Sequence, residues 1–576
     1  MMDIFRESIL GQVIRFATRN RVLRYAEEHA DFQCPPAYRC QPSIATSGLN
    51  LLSNGTSLEQ SLQSQHKFAI SINDFAAEKQ KDDIGTIIRS TTVPSGPLHA
   101  IIPTVSTSGI ILVDWYGTDD PENPHNWSSP KKAFVALQIC LYTFAVYMAS
   151  AIYTPSELGV MQHFAVGPTA ASLGLAIYVL GYGLGPLLFS PLSEIPVIGR
   201  NPPYSITFAI FVILCVPTAL ADNFAELIVL RFLQGFFGSP CLATGGATMG
   251  DMYSIMKLPY LFCFWVTAAT CGPAFGPLIS GFSVTAKDWR WSLWEILWLA
   301  GPIFLLLFAC LPETSSATIL LRRARRLRKL TGNDYLRSQS EIDQAKLSMS
   351  EIAIENLWRP TQILIQDPAI LFASIYCALI YGIYYSFFEV FPLVYMDLYH
   401  FNVGEMGLTF LSISVGTALA ITVYCSYIFF VLEPDIRKNG FGPQEDRLYP
   451  ALYSAFLIPV GLFLFGWTAN IHVHWMASVA GTGVYSFGVF ILLQCMFLYV
   501  PLTYPKYAAS LFAGNDFVRS AVACGAVLFA RPLYMNLGIG KGVTLLACFT
   551  AASIGGIFAL YFYGATLRAK SRFAVR

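Results

Sequence analysis

The chain has 576 residues, 54% of them hydrophobic and only 13% charged, with a mean hydropathy of +0.51. A water-soluble protein carries about 25% charged residues and does not repeat apolar runs of ~18 or more along its length, so the composition excludes a soluble domain and implies a polytopic membrane protein. The formal net charge of +1 gives no reason to expect nucleic acid as a partner, because here the placement of charge among the loops matters and the sum does not.

The chain opens MMDIFRESILGQVIRFATRNRVLRYAEEH, which lacks the uninterrupted apolar core and small-residue cleavage site of a secretory signal. Ile4, Phe5, Ile9, Val13, Ile14 and Phe16 alternate with Arg6, Arg15, Arg19, Arg21 and Arg24. This predicts a basic amphipathic helix over about 1 to 28, lying on the anionic inner leaflet or, alternatively, simply solvated. Residues 31 to 110 are rich in Ser, Thr, Gln, Asp and Pro and read as a disordered tail, so 1 to 130 form one cytoplasmic segment. Asn54 and Asn126 begin glycosylation sequons, but both precede the first span and stay unmodified if the tail is cytoplasmic. Of the 13 cysteines, eleven fall inside apolar runs as small hydrophobes. Cys34 and Cys40 lie in polar sequence without zinc spacing and read as a solvated, reduced pair, so no metal site is expected.

Apolar runs place six spans in an N-terminal bundle (131 to 311), near 134 to 154, 169 to 190, 204 to 222, 225 to 248, 260 to 283 and 291 to 311. A polar connector, 312 to 367, follows. It carries Arg322, Arg323, Arg325, Arg326, Arg328 and Lys329 close to a span, a cluster that resists translocation and so fixes the connector on the cytoplasmic side. A C-terminal bundle (368 to 566) holds six more spans near 369 to 391, 406 to 431, 450 to 469, 474 to 500, 507 to 530 and 541 to 565, and 567 to 576 form a cytoplasmic tail. Lys131, Lys132, Arg200, Lys257, Arg437, Lys438, Arg447, Lys506 and Arg568 fall in segments assigned inside; Lys287 and Arg290 are the exceptions outside. The expected fold is an all-α membrane protein, twelve transmembrane helices in two pseudo-symmetric six-helix bundles, with both termini cytoplasmic and substrate held between the halves. The apolar runs are too long for the ~10-residue alternating strands of a β-barrel.

Motifs refine this. Gly181, Gly183 and Gly185 near the end of span 2 leave a helix surface without bulk, which lets helices approach and slide. Glu194, Gly199 and Arg200 follow, in a loop that resembles the charged motif between spans 2 and 3 of the major facilitator superfamily; that motif implies a cytoplasmic latch between an acid and Arg200. Arg231 lies within an apolar run, where an arginine costs ~2.5 to 3.5 kcal/mol and should face a polar interior with a partner, the alternative being a boundary residue that snorkels. Arg231, Gln234 and Gly235 resemble the superfamily's span-4 motif, which is linked to proton coupling. Gly272, Pro273, Gly276 and Pro277 bend span 5 and resemble its antiporter motif, with Pro277 in place of a glycine.

With DWYGTDDPENPHNWSSPKK before span 1, LPET through RARRLR after span 6, FFEVFPLVY in span 7 and PQEDRLYPA before span 9, the chain from residue 114 onward resembles the fungal twelve-span drug:proton antiporters of the major facilitator superfamily. The resemblance implies export of small amphipathic compounds in exchange for protons. The plasma membrane is the expected location, the proton gradient the energy source with no cofactor, and one chain, which already contains both halves of a translocation unit, is expected to function as a monomer. Coupling requires intramembrane groups that change charge. Glu389, Glu295 and Asp516 are the carboxylates closest to the hydrocarbon zone, with Asp516 three residues from Arg519 and able simply to neutralise it. Tyr384, Tyr385, Phe387 and Phe388 around Glu389, together with Gln234, are the candidate substrate-binding residues; their rings suit a cation, although aromatic clusters in membrane helices are more often packing. A potential of about 100 mV supplies ~2.3 kcal/mol per charge against ~1.4 kcal/mol per tenfold gradient, so one proton suffices for modest concentration. No G-x-x-x-x-G-K-[ST] loop offers direct nucleotide drive. The rivals are a proton-independent facilitator or importer and, in another class, a membrane enzyme, against which the eight His are scattered without catalytic spacing.

Overall fold

A computed structural model describes residues 2 to 39, 103, 109 to 344, 359 to 440, 442 to 504 and 508 to 570. Among the described residues, twelve helices are long and apolar enough to cross a membrane: Ser129–Phe164, Pro168–Glu194, Asn201–Leu220, Phe224–Met252, Leu258–Ala286 and Trp291–Cys310 before the connector, then Pro368–Leu398, Val403–Asn439, Gln444–Thr468, Trp475–Thr503, Ser510–Leu537 and Ile539–Ala569. They are numbered here as spans 1 to 12. Several outrun their apolar runs, because backbone hydrogen bonds carry a helix past the point where hydrophobicity stops. Span 1 passes through a 3-10 turn at Thr154–Ser156, where Pro155 interrupts the bonding, and resumes over Glu157–Phe164. Span 7 ends in a wide π turn, Pro392–Leu398.

Burial sorts the spans into layers. Spans 1, 7 and 10 are the most enclosed, with 78% of each apolar stretch buried, whereas spans 6, 8 and 12 bury 28 to 33% and give most of their surface to lipid. The two bundles meet along spans 2 and 11 on one side and along span 5 against spans 8 and 10 on the other. Small residues set these distances. Gly181 and Gly185 face the span 4 backbone, where a Cβ would lie 2.4 Å from the Phe232 and Phe236 carbonyl oxygens respectively. Gly183 turns the other way, onto Ser520 of span 11. The three glycines therefore serve two neighbours, one within the bundle and one across the seam. Gly276 lets span 5 lie on span 1 at Ile152, beside the Pro155 break, while the Pro277 carbonyl lies beneath Gly407 of span 8.

The connector and the N-terminal segment form a small folded unit on one face, termed the connector face; the opposite end is the far face. Here the expectations for residues 1 to 130 need correction. The N-terminal helix is broken into α1 (Met2–Glu7) and α2 (Ile9–Ala17), with the Ser8 side chain capping α2 and left-handed backbone at Arg19, Asn20 and Leu23 ending the helical path. Both helices pack on span 6, and α2 also on span 3. Val13 and Phe16 stay exposed, but Arg15 turns inward to a two-point pair with Glu28 at 2.7 and 2.9 Å.

Residues 31 to 39, expected to be disordered, place Cys34 and Tyr38 in a buried cluster with Ile111, Val113, Ala324, Leu327 and Leu336. Cys34 is thus packed rather than solvated. Cys40, Asn54 and most of the tail lie outside the described residues, as do residues 571 to 576. A two-residue strand β1 (Ile111–Leu112) pairs in parallel with β2 (Leu336–Arg337), joining the segment before span 1 to the connector. The connector helix, Ser316–Thr331, buries part of the basic cluster. Arg323 donates to Asp120 at 2.6 and 3.1 Å and to Glu122 at 2.9 Å, and Arg326 pairs with Glu27 and Glu122, each at 3.0 Å. Asn126 Nδ2, the atom a glycan would take, instead donates to the Thr118 and Asp120 carbonyls.

Candidate functional site

Arg231 of span 4 is fully buried, so it is no boundary residue. Among the described residues its guanidinium has no carboxylate partner. It donates to three backbone carbonyls, Ala149 at 2.9 Å and Ser150 at 3.0 Å in span 1 and Gly174 at 3.0 Å in span 2. Tyr178 lies 4.3 Å and Tyr153 5.2 Å from the cation. Carbonyl dipoles and ring faces together replace the water that a buried charge has lost.

A chain of hydroxyl groups leads from this cation to the other half. Ser150, whose carbonyl accepts from Arg231, places its hydroxyl 3.0 Å from Tyr385 of span 7. Tyr182 of span 2 lies 2.9 Å from the Tyr385 hydroxyl and 2.5 Å from that of Tyr381. The Tyr381 ring in turn sits 4.4 Å from the Arg519 guanidinium of span 11. Arg519 is ion-paired with Asp516 and donates to the Tyr147 hydroxyl of span 1 at 2.9 Å. Two buried cations, one per half, are thus connected across the seam by tyrosines. Among the described residues Asp516 Oδ2 has no hydrogen-bond partner, and the pair lines a cavity of about 20 Å³ with Tyr147, Trp265 and Phe497. That is room for about one water.

Both faces are shut around this layer. Toward the connector face, Gln494 of span 10 donates to the Phe262 carbonyl of span 5 at 3.1 Å. Toward the far face, Gly281 of span 5 lies against Val403 and Gly404 of span 8. The conformation is occluded.

The other candidates separate once side chains are placed. Tyr384 reaches across the seam to the Thr270 carbonyl at 2.8 Å, and Phe388 stacks on Phe410 with centroids 5.0 Å apart. Phe387 faces away from the seam, packed on Phe465 and Tyr485 inside the C-terminal bundle. Gln234 also leaves the seam; its amide donates to Cys215 of span 3 at 3.4 Å. Glu295 sits in the outer layer beside Ser283, apart from the tyrosine chain. Glu389 is 2% exposed, with one carboxylate oxygen unpartnered. Its surroundings include a residue the sequence reading missed, Glu157, just past the Pro155 break.

The latch is also rearranged. Arg200 pairs with Asp251 at the end of span 4 at 2.5 Å, not with Glu194. Asp251 and its neighbours outweigh the effect of burial and hold the Arg200 guanidinium well above its ordinary range. Gly199 is left-handed, φ +82°, and closely approaches the buried Glu313. The Glu313 carboxylate caps the backbone N–H groups of Arg200 at 3.0 Å and Ser315 at 3.0 Å, tying the loop between spans 2 and 3 to the end of span 6. The PET sequence of the LPET stretch was the available signal; nothing local pointed to Asp251.

Two six-helix bundles closed over a buried layer of cations and tyrosines define a polytopic transport protein of the alternating-access type. Residues 139–526 match the family model for the Major Facilitator Superfamily. The chain belongs to that superfamily. It is 46% identical over 472 residues to the MFS-type transporter pyvG of Aspergillus violaceofuscus, covering 82% of this chain and 87% of the relative. It is 36% identical to the Cycloheximide resistance protein of Candida maltosa, with 100% of both chains covered. It is 41% identical to the Fluconazole resistance protein 1 of Saccharomyces cerevisiae, covering 80% and 84%. Among solved structures, the proton:xylose symporter XylE shares the fold with a TM-score of 0.54 at 14% identity, over 76% of this chain and 96% of that one.

Proposed function

We propose that the chain exports small amphipathic compounds in exchange for protons by alternating access, working as a single chain with no cofactor. The supporting observation is the buried path from Arg231 through Ser150, Tyr385 and Tyr182 to Tyr381 and Arg519, because every step of it crosses or abuts the seam that must open. Rocking the halves breaks the Ser150 to Tyr385 and Tyr182 to Tyr381 contacts, so conformation and the protonation of nearby carboxylates are thermodynamically linked. The names of the relatives direct the substrate class toward drugs and self-made toxins. The connector face is cytoplasmic, since the basic cluster lies there, and the plasma membrane is where such export is useful.

The test is efflux of a labelled panel, including cycloheximide and fluconazole, from proteoliposomes with an imposed pH gradient. Gradient-stimulated efflux of at least one compound, released chemically unchanged, is expected. Transport indifferent to the gradient would assign the chain to facilitators, and chemical turnover of the cargo would assign it to enzymes.

A further inference from the structure

On the far side of the seam, Glu157 of span 1 and Glu389 of span 7 interact electrostatically across the two halves. Ser172 of span 2 lies between them, its hydroxyl 3.5 Å from Glu157 Oε2 and also facing Glu389. One oxygen of each carboxylate, Oε1 in both cases, is buried without a hydrogen-bond partner among the described residues. The other charged group facing the pair is Arg531 of span 11, which among the described residues makes no ion pair with either carboxylate. Behind Glu157 stands Tyr153, and behind that ring Arg231, already occupied by three carbonyls. Tyr534, the remaining titratable group on span 11 nearby, is tied to Ser386 at 3.0 Å.

Two neighbouring carboxylates repel when both are ionised, and the repulsion is lost when one of them takes up a proton. These two belong to different bundles, so their repulsion acts directly along the coordinate that opens the far face. We propose that Glu157 and Glu389 form a proton-operated gate: the far face closes when the pair holds a proton and is driven open when the pair has lost it. The proton comes from far-side water while that face is open. It leaves toward the connector side, where the hydroxyl chain begins at Tyr385, one helical turn from Glu389 on the same face of span 7. The sign suits export, because an outer proton resets the emptied carrier to face inward. This rests on the proton-coupled reading above and names Glu157 as a second coupling residue.

The test uses full-length protein in proteoliposomes with fluorophores introduced at positions 162 and 470 on the far face. In the unsubstituted protein the separation should lengthen as pH rises from 5 to 9. In Glu157→Gln/Glu389→Gln it should stay short at every pH, and in Glu157→Asp the pH response should persist. Efflux driven by a pH gradient should fall at least tenfold in Glu157→Gln. A separation independent of pH in the unsubstituted protein, or a full response and full coupling in Glu157→Gln, overturns the gate even if the Gln pair cannot be purified. Loss of gradient-driven efflux in the unsubstituted protein instead overturns the proton-coupled reading itself, so the two failures are distinct.

Discussion

Arg231 is held by three main-chain carbonyls and two rings, an arrangement that only a planar, multi-donor cation satisfies. Arg231→Ala leaves those acceptors unsatisfied, at about 1 to 3 kcal/mol for each buried group. Transport is expected to vanish while the protein still reaches the membrane, and Arg231→Lys should restore only part of it, since an ammonium cannot span spans 1 and 2 at once. Efflux assays on membrane fractions normalised for surface protein check this; normal transport by the Ala variant would remove Arg231 from the mechanism. Glu389→Gln should lower gradient-driven efflux by roughly tenfold or more, about 1.4 kcal/mol of lost coupling, and unchanged rate and stoichiometry would exclude it from coupling.

At this scale the sequence carried part of the site. An arginine inside an apolar run identifies itself by its cost, and Glu389 and Asp516 do likewise. Which way a neighbour points is another matter. Phe387 and Phe388 are adjacent in sequence, yet one packs into the bundle and the other stacks on Phe410 of span 8. Gln234 was grouped with Arg231 by motif, but helix rotation aims it at Cys215. Glu157 was passed over because Pro155 and the polar residues around it read as the end of span 1.

Among the elements, the docked N-terminal segment was the least legible. Its long-range ion pairs reach the connector, two hundred to three hundred residues away in sequence, and no local periodicity encodes them. Its ion pairs are buried, so removing one partner leaves an uncompensated charge worth roughly 3 to 5 kcal/mol. Arg323→Met should undock the segment and expose it to protease, as should Asp120→Ala, while an exposed arginine such as Arg325 should be replaceable without effect; limited proteolysis of membranes distinguishes them.

The docking should also depend on pH. Burial alone would push the Asp120 carboxyl up, but the hydrogen bond and charge of Arg323 outweigh it and hold the group below its ordinary range. Glu27 is likewise held below by Arg326 despite its burial. Glu122 goes the other way, because its burial exceeds what the two arginines return. A carboxyl lowered on docking contributes stability that is full above its free value, about 4, and is lost as pH falls through the docked value. Protease resistance of residues 2 to 39 should therefore persist from neutral pH down to about 5 and collapse in stronger acid.

For the whole molecule, hydropathy was enough to count spans and to find the division into halves, because bilayer thickness imposes a length on every crossing. The seam between the halves could not be read that way. It depends on which faces of spans 1, 2, 5, 7, 8, 10 and 11 turn inward, and apolar helices carry little amphipathic signal when both lipid and protein accept the same side chains. The occluded state adds a prediction: since Gly183 meets Ser520 without room for a Cβ, Gly183→Leu should wedge spans 2 and 11 apart and slow transport, with a matching gain in solvent access at the seam.

The central claim is that cargo leaving the carrier exchanges for protons entering by the same route. Proteoliposomes with the connector face outward and no pH gradient, loaded with a pH dye and given a transported compound outside, test it without relying on any single residue. Cargo then moves inward through the carrier, and antiport predicts that the lumen loses protons and becomes more alkaline in proportion to the cargo taken up. Cargo uptake with no change in lumenal pH, or with acidification, would contradict the account.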